Sequence, residues 1–193
     1  IKEEINKILE TKNMDLLIKA ILDKSLEDSF YSHLYIKILK NEKLEEKLID
    51  LINMKCEEIY VSFDILDNIQ GDNYNDICNV LNRKEKYLAF FEIISFLYYY
   101  EIKGIEIVDK YWKKLIEKIN NIGKEEDISI YIEAMIVICD KVGEKVYTND
   151  KHFFLKRIYN EIVKLSENRN KLSSKNRFKI MDALDNISYI RDD

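Results

Sequence analysis

Apolar residues recur at i, i+3, i+4 and i+7 along most of the chain, the spacing that lines one face of an α-helix. Residues 14–26 carry Met14, Leu17, Ile18, Ile21 and Leu22, with Asn13 as a fitting N-cap. Asp28 or Ser29 can cap the next helix, which bears Tyr31, Leu34, Tyr35, Ile38 and Leu39. A third helix, 43–61, shows Leu44, Leu48, Leu51, Ile52, Cys56 and Ile59. The stretch 64–81 contains Gly71 and four Asn and reads as a loop with short helical pieces. Helices follow at 83–102, 105–121, 126–142, 150–169 and 174–190, and a short one precedes them at 1–10. Nine to ten helices with short connections pair into four to five antiparallel hairpins of about 40 residues, the period of HEAT-type repeats. The expected fold is all-α, a stacked solenoid of helical hairpins forming a single domain over 1–193.

Composition sharpens this picture. The chain has no proline and only four glycines, too few for the many tight turns of a β-rich fold. Hydrophobic residues make up 47% and charged residues 35%, which fits amphipathic helices with charged outer faces. The greasiest run, Tyr87 to Tyr100, holds Glu92 and is too short to span a bilayer, so it is expected as a buried helix and no membrane contact is expected. Net charge is −5, so RNA contact has to come from local patches rather than bulk attraction. Cys56, Cys78 and Cys139 are odd in number and far apart, which predicts buried thiols in a reducing cytoplasm. The chain starts at Ile1 rather than Met and reads as a segment of a longer protein.

The residues offer little for catalysis. His33 and His152 are the only histidines and stand in no ligand spacing with each other or with a cysteine. No glycine pair forms a phosphate loop, and no nucleophile lies in a recognised setting. The acidic pairs Glu3/Glu4, Glu57/Glu58 and Glu125/Glu126 read as solvated faces or helix starts. A non-enzymatic protein without a cofactor is expected.

Two surfaces are candidates for binding. On helix 105–121, Val108, Tyr111, Trp112, Leu115, Ile116 and Ile119 form the apolar stripe. Lys110, Lys113, Lys114 and Lys118 lie on the other side and, with Lys103 upstream, make a basic ridge. It reads as an RNA-contacting edge or as a solvated face whose lysines suit the helix C-terminus. Trp112 falls in the stripe and is expected in the core. The second surface is LSSKNRFKIMDALDNI, residues 172–187. Ser173 or Ser174 can cap it, but Lys175, Arg177 and Lys179 crowd the positive end of the helix dipole. Ile180, Leu184 and Ile187, flanked by Met181 and Ala183, form the expected core face, and Phe178 falls roughly 140° away from it among Lys175, Asp182 and Asp185. Phe178 is either a protein-contact residue or a first-turn ring folded against the preceding helix.

This last segment, KLSSKNRFKIMDALDNI, resembles the final helix of the middle domain of eukaryotic translation initiation factor 4 gamma, which reads much like K-T-S-S-R-I-R-F-M-L-Q-D-V-L-D-L-R. Lys171, Ser173, Ser174, Arg177, Phe178, Asp182, Leu184 and Asp185 match without a gap. Upstream, KSLEDSFYSHLY (24–35) is similar to E-K-A-I-x-E-P-x-F-x-x-x-Y, with Lys24, Tyr31 and Tyr35 in register. LINMKCEEIY (51–60) resembles L-L-L-N-R-C-Q-x-E-F at Lys55, Cys56 and Tyr60, and DKVGEKVY (140–147) resembles T-T-I-G-K-D-L-D at Val142 and Gly143. INKILET (5–11) is similar to the opening L-N-K-L-T. One helix expected between residues 11 and 14 is deleted, and the acidic linker near 62–82 is much shortened. The resemblance implies a compact, divergent member built as a crescent of five HEAT-like hairpins. It further implies binding to the DEAD-box RNA helicase initiation factor 4A through Lys24, Lys55, Arg177, Phe178, Asp182 and Asp185. The helicase's two lobes would be held half-open and its ATPase cycle accelerated, with weak accessory RNA contact. Other initiation factors would bind flanking regions. The alternative is a scaffold of the same kind in nonsense-mediated decay, splicing or deadenylation, or a general helical-repeat interaction module.

Overall fold

The computed structural model describes residues 14–41, 46–63, 74–122, 128–148, 152–168 and 172–187. Among them are eight α-helices and no strand, so the all-α expectation holds in its coarse form. They are α1 (Met14–Glu27), α2 (Ser32–Asn41), α3 (Glu46–Ser62), α4 (Tyr74–Tyr99), α5 (Ile105–Asn121), α6 (Ser129–Thr148), α7 (His152–Glu167) and α8 (Ser174–Asn186). A 3₁₀ turn, Ser29–Tyr31, joins α1 to α2. The count is eight rather than nine to ten, and the helix expected at 1–10 and the Asn13 cap lie outside the described residues. Residues 1–103 and 104–193 form two compact units.

In the first unit α4 is the central helix, contacting α1, α2 and α3. From Tyr87 to Tyr98 it is buried on almost all sides, as its run of apolar residues predicts. Two buried serine hydroxyls inside this core are satisfied by bonding back one turn. Ser25 Oγ donates to the Ile21 carbonyl and Ser95 Oγ to the Phe91 carbonyl, each at 2.7 Å. Tyr60 and Phe63, at the end of α3, meet Tyr87, Phe90 and Phe91 of α4 in a cluster of tilted and edge-on rings with centroids 5.1–6.1 Å apart. The end of α4 is set by Glu101 at φ 61°, with Ile102 N–H donating to the Leu97 carbonyl at 3.0 Å over a buried Ile102. That is a left-handed helix stop, usually a glycine's place, occupied here by glutamate.

Three expectations for this unit need correction. Helix α4 begins at Tyr74, not near 83, because no Gly or Pro interrupts the chain between residues 72 and 103 and the backbone satisfies itself within the helix. Nothing before Tyr87 is buried, so apolar patterning could not mark the extension. On α2 the core face is Ser32, Ile36 and Leu39, while Tyr31 and Leu34 are exposed, because the 3₁₀ turn shifts the phase of the helix that follows. Cys78, expected to be buried, is exposed on the outer part of α4.

In the second unit α6 contacts α5, α7 and α8, and α7 contacts α8. Helix α5 spans the residues its periodicity predicts, and Val108, Tyr111, Trp112, Leu115 and Ile119 are buried. Gly104 caps it without a side chain, and Glu106 Oε1 accepts from the Gly104 N–H at 3.1 Å instead. Cys139 is buried in α6, where desolvation pushes its thiol up to about 12. No helix among the described residues is long and apolar enough to cross a membrane.

Candidate functional site

Ser173 is the N-cap of α8, in extended conformation, its Oγ accepting from the Asn176 N–H at 3.3 Å. Ile180, Ala183, Leu184 and Ile187 are buried and fix the inward face of the helix. Lys179 Nζ pairs with Glu133 and sits 3.5 Å from Ser129 Oγ, so the N-terminal halves of α8 and α6 are held together. The opposite face therefore points to solvent. Phe178 is 66% exposed, which rules out the alternative of a ring folded against the preceding helix. Lys175, Asp182 and Asp185 are exposed beside it, and none forms an ion pair among the described residues.

Met181 was expected beside the core and is 51% exposed instead. The core face is centred closer to Ala183 than Ile180, Leu184 and Ile187 alone imply, which leaves Met181 roughly 110° from its centre and about 60° from Phe178. The signal was present in the spacing, but a methionine reads as apolar filler by default. Arg177 is only half-buried, yet its Nε is buried with no hydrogen-bond partner.

The charge order of α8 is inverted. Its first turn has no acid and its last turn no base, while Lys175 and Arg177 stand at the positive end of the macrodipole and Asp185 at the negative end. Each such placement costs about 0.3–1 kcal/mol in an exposed helix. A sequence shaped for helix stability alone would use the reverse order.

Lys24 and Lys55 belong to the first unit and the other four predicted helicase-contact residues to the second. Both lysines are tied within their own helices. Lys24 Nζ lies 2.9 Å from Glu27 Oε2, and the hydrogen bond raises the Lys24 pKa above its ordinary value. Lys55 Nζ lies 2.6 Å from Glu58 Oε2.

On the lysine ridge, Lys103 closes the first unit while Lys110, Lys113, Lys114 and Lys118 stand on α5 in the second. Lys110 and Lys113 are exposed, and Lys114 and Lys118 are half-buried. Lys113 is partly neutralised by Asp109 at 2.7 Å. Lys110 and Lys114 place their ammonium groups 5.3 and 5.4 Å from the Tyr111 ring centroid. Trp112 is fully buried and is a core residue rather than a stacking platform, its Nε1 donating to Glu161 Oε2 at 2.5 Å.

Asp109 also pairs with Arg157 of α7. Burial pushes its carboxyl up, but hydrogen bonds from Lys113 and Arg157 outweigh that and hold it below its ordinary value of 3.8. A depressed folded value means stability that is full above 3.8 and is lost as pH falls through the lower folded value. Urea midpoints of the second unit are therefore expected to fall steadily on acidification below about pH 4. Asp109→Asn should flatten that decline and lower the midpoint at neutral pH; an unchanged acid slope in Asp109→Asn would show that the pair contributes nothing.

No group of three or more His, Cys, Asp or Glu among the described residues is placed to hold a metal. The protein is all-helical among its described residues, with a solvent-facing aromatic among unpaired acids on its last described helix. No known protein family, curated protein sequence or solved structure matches the chain.

Proposed function

We propose that the chain is the helicase-holding scaffold domain of a translation initiation factor of the 4-gamma type. In this reading its hairpins form the HEAT-like crescent that the sequence resemblance implies. It binds the DEAD-box RNA helicase initiation factor 4A, and all ATP chemistry stays on the helicase. Gripping both helicase lobes favours the half-open arrangement over open and closed ones, which speeds nucleotide turnover by shifting populations. The observation that carries the reading is the outward Phe178 among unpaired charges on a helix whose charge order opposes its own stability.

The deciding experiment is titration of the cognate helicase with the wild-type chain and with Phe178→Ala. An exposed anchor of this kind is expected to cost about 2 kcal/mol, roughly a 30-fold weaker Kd, with an unchanged circular-dichroism melt. Equal binding by the folded variant sinks the reading. Cap-binding factors among co-purified partners accord with initiation, whereas decay, splicing or deadenylation factors would move the same scaffold to another pathway.

The lysines of α5 supply the accessory RNA contact in this proposal. Binding of single-stranded RNA is expected to be weak and to fall steeply with salt, and reversing Lys110, Lys113 and Lys114 to Glu should abolish it. RNA affinity that survives the triple reversal would leave α5 with a merely solvated face.

A further inference from the structure

We infer that the outer face of α8 docks a basic protein surface containing an apolar socket, which takes Phe178 and Met181 together, and that this face repels RNA. The inference rests on the helicase-holding reading and states what the helicase must present there. At about 100° per residue, Lys175, Phe178, Met181, Asp182 and Asp185 fall within about 60° of one line along the helix. All five are exposed. Along roughly 15 Å of axis the face runs from a cation, through two large apolar side chains one turn apart, to two carboxylates.

The two apolar side chains occupy the middle of the strip and the charges its ends, which is the arrangement of an interface anchor with a polar rim. Burying both removes from water two residues that the rest of the second unit leaves uncovered. The carboxylates of Asp182 and Asp185 have no ion-pair partner among the described residues, and they stand where the helix dipole is already negative. A phosphate backbone would meet repulsion at this end, so nucleic acid is the wrong occupant. Lysine or arginine from a protein partner would instead find two free acceptors and a favourable field. Lys175, at the opposite end, sets the orientation by matching an acid on the partner. Arg177 lies about 100° from Phe178 and leaves this strip, so Met181 completes the footprint.

The test uses the full 193-residue chain and the cognate helicase, titrated at several salt concentrations with Phe178→Ala, Met181→Ala and the double variant Asp182→Lys/Asp185→Lys. Bases near a helix C-terminus suit the dipole, so the double variant should melt at the same temperature as wild type or higher. Its helicase affinity should nevertheless fall at least about tenfold at low salt, and its affinity for single-stranded RNA should rise. Met181→Ala should weaken helicase binding about fivefold. Loss of binding in Phe178→Ala, with wild-type affinity in both Met181→Ala and the double variant, overturns this inference and leaves the helicase-holding reading standing. Absence of wild-type binding, or no effect of Phe178→Ala, overturns both.

Discussion

Trp112→Ala is expected to cost the second unit about 3–5 kcal/mol, a large share of the total stability of a domain this size. Trp112 is the only tryptophan in the chain and is fully buried in the stripe that α5 turns inward with Val108, Tyr111 and Leu115. Two losses combine in the alanine variant. The indole leaves a cavity that the surrounding helices can close only in part. Glu161, half-buried on α7, also loses the donor that now sits 2.5 Å from its Oε2. A partly desolvated carboxylate without its donor costs more than the bond itself contributes. Trp112→Phe separates the two losses, since it keeps most of the ring and removes only the N–H, and about 1–3 kcal/mol is expected. Wild-type unfolding can be followed by the single tryptophan, but the alanine variant needs helical circular dichroism in urea. A loss under about 1 kcal/mol would mean that α5 is not seated as described.

How much of this was legible in the sequence depended on whether burial or solvent governs each residue. Helix α5 could be read at both ends, because its stripe is regular and Gly104 precedes it. The outward position of Phe178 was legible as one of two readings, since four well-spaced apolar residues fixed the opposite face and a charged neighbourhood left the ring nowhere else to go. The cap was ambiguous between two adjacent serines, and only the bond from Asn176 N–H selects Ser173. The first three turns of α4 were illegible for a different reason. Tyr74, Ile77, Cys78 and Leu81 do have helical spacing, but all are exposed, and interspersed Asn residues mask the pattern. On α2 the helical period was right and the phase wrong. A 3₁₀ turn advances the chain by a different angle per residue, so an uninterrupted α-helical period points Tyr31 and Leu34 at a core that belongs to Ile36 and Leu39. Met181 is hidden by chemistry rather than geometry, because apolar character does not by itself imply burial.

Phe90→Ala should be the most damaging single change in the first unit, again about 3–5 kcal/mol. Phe90 is fully buried on α4, with ring centroids 5.9 Å from Tyr60, 6.1 Å from Phe63 and 5.4 Å from Phe91. Tyr60 stands in the last turn of α3 and Phe63 directly follows it, so Phe90 is a ring shared by both in packing that end on the central helix. Removing it leaves Phe63 with Tyr87 at 5.3 Å and takes from Tyr60 a ring at 5.9 Å. The effect should therefore be local before it is global, with α3 opening at a lower free energy than α4. Hydrogen exchange tests this directly, because amides of Glu46–Ser62 should lose protection in Phe90→Ala while those of Tyr87–Tyr98 lose less. Phe90→Leu, which fills most of the space, should restore most of the protection. Lys55 rides on α3, so in the proposed function the same variant would also loosen a predicted helicase contact without touching it. Uniform loss of protection across both helices would mean that the unit opens as one body and that the aromatic cluster is not a separate joint.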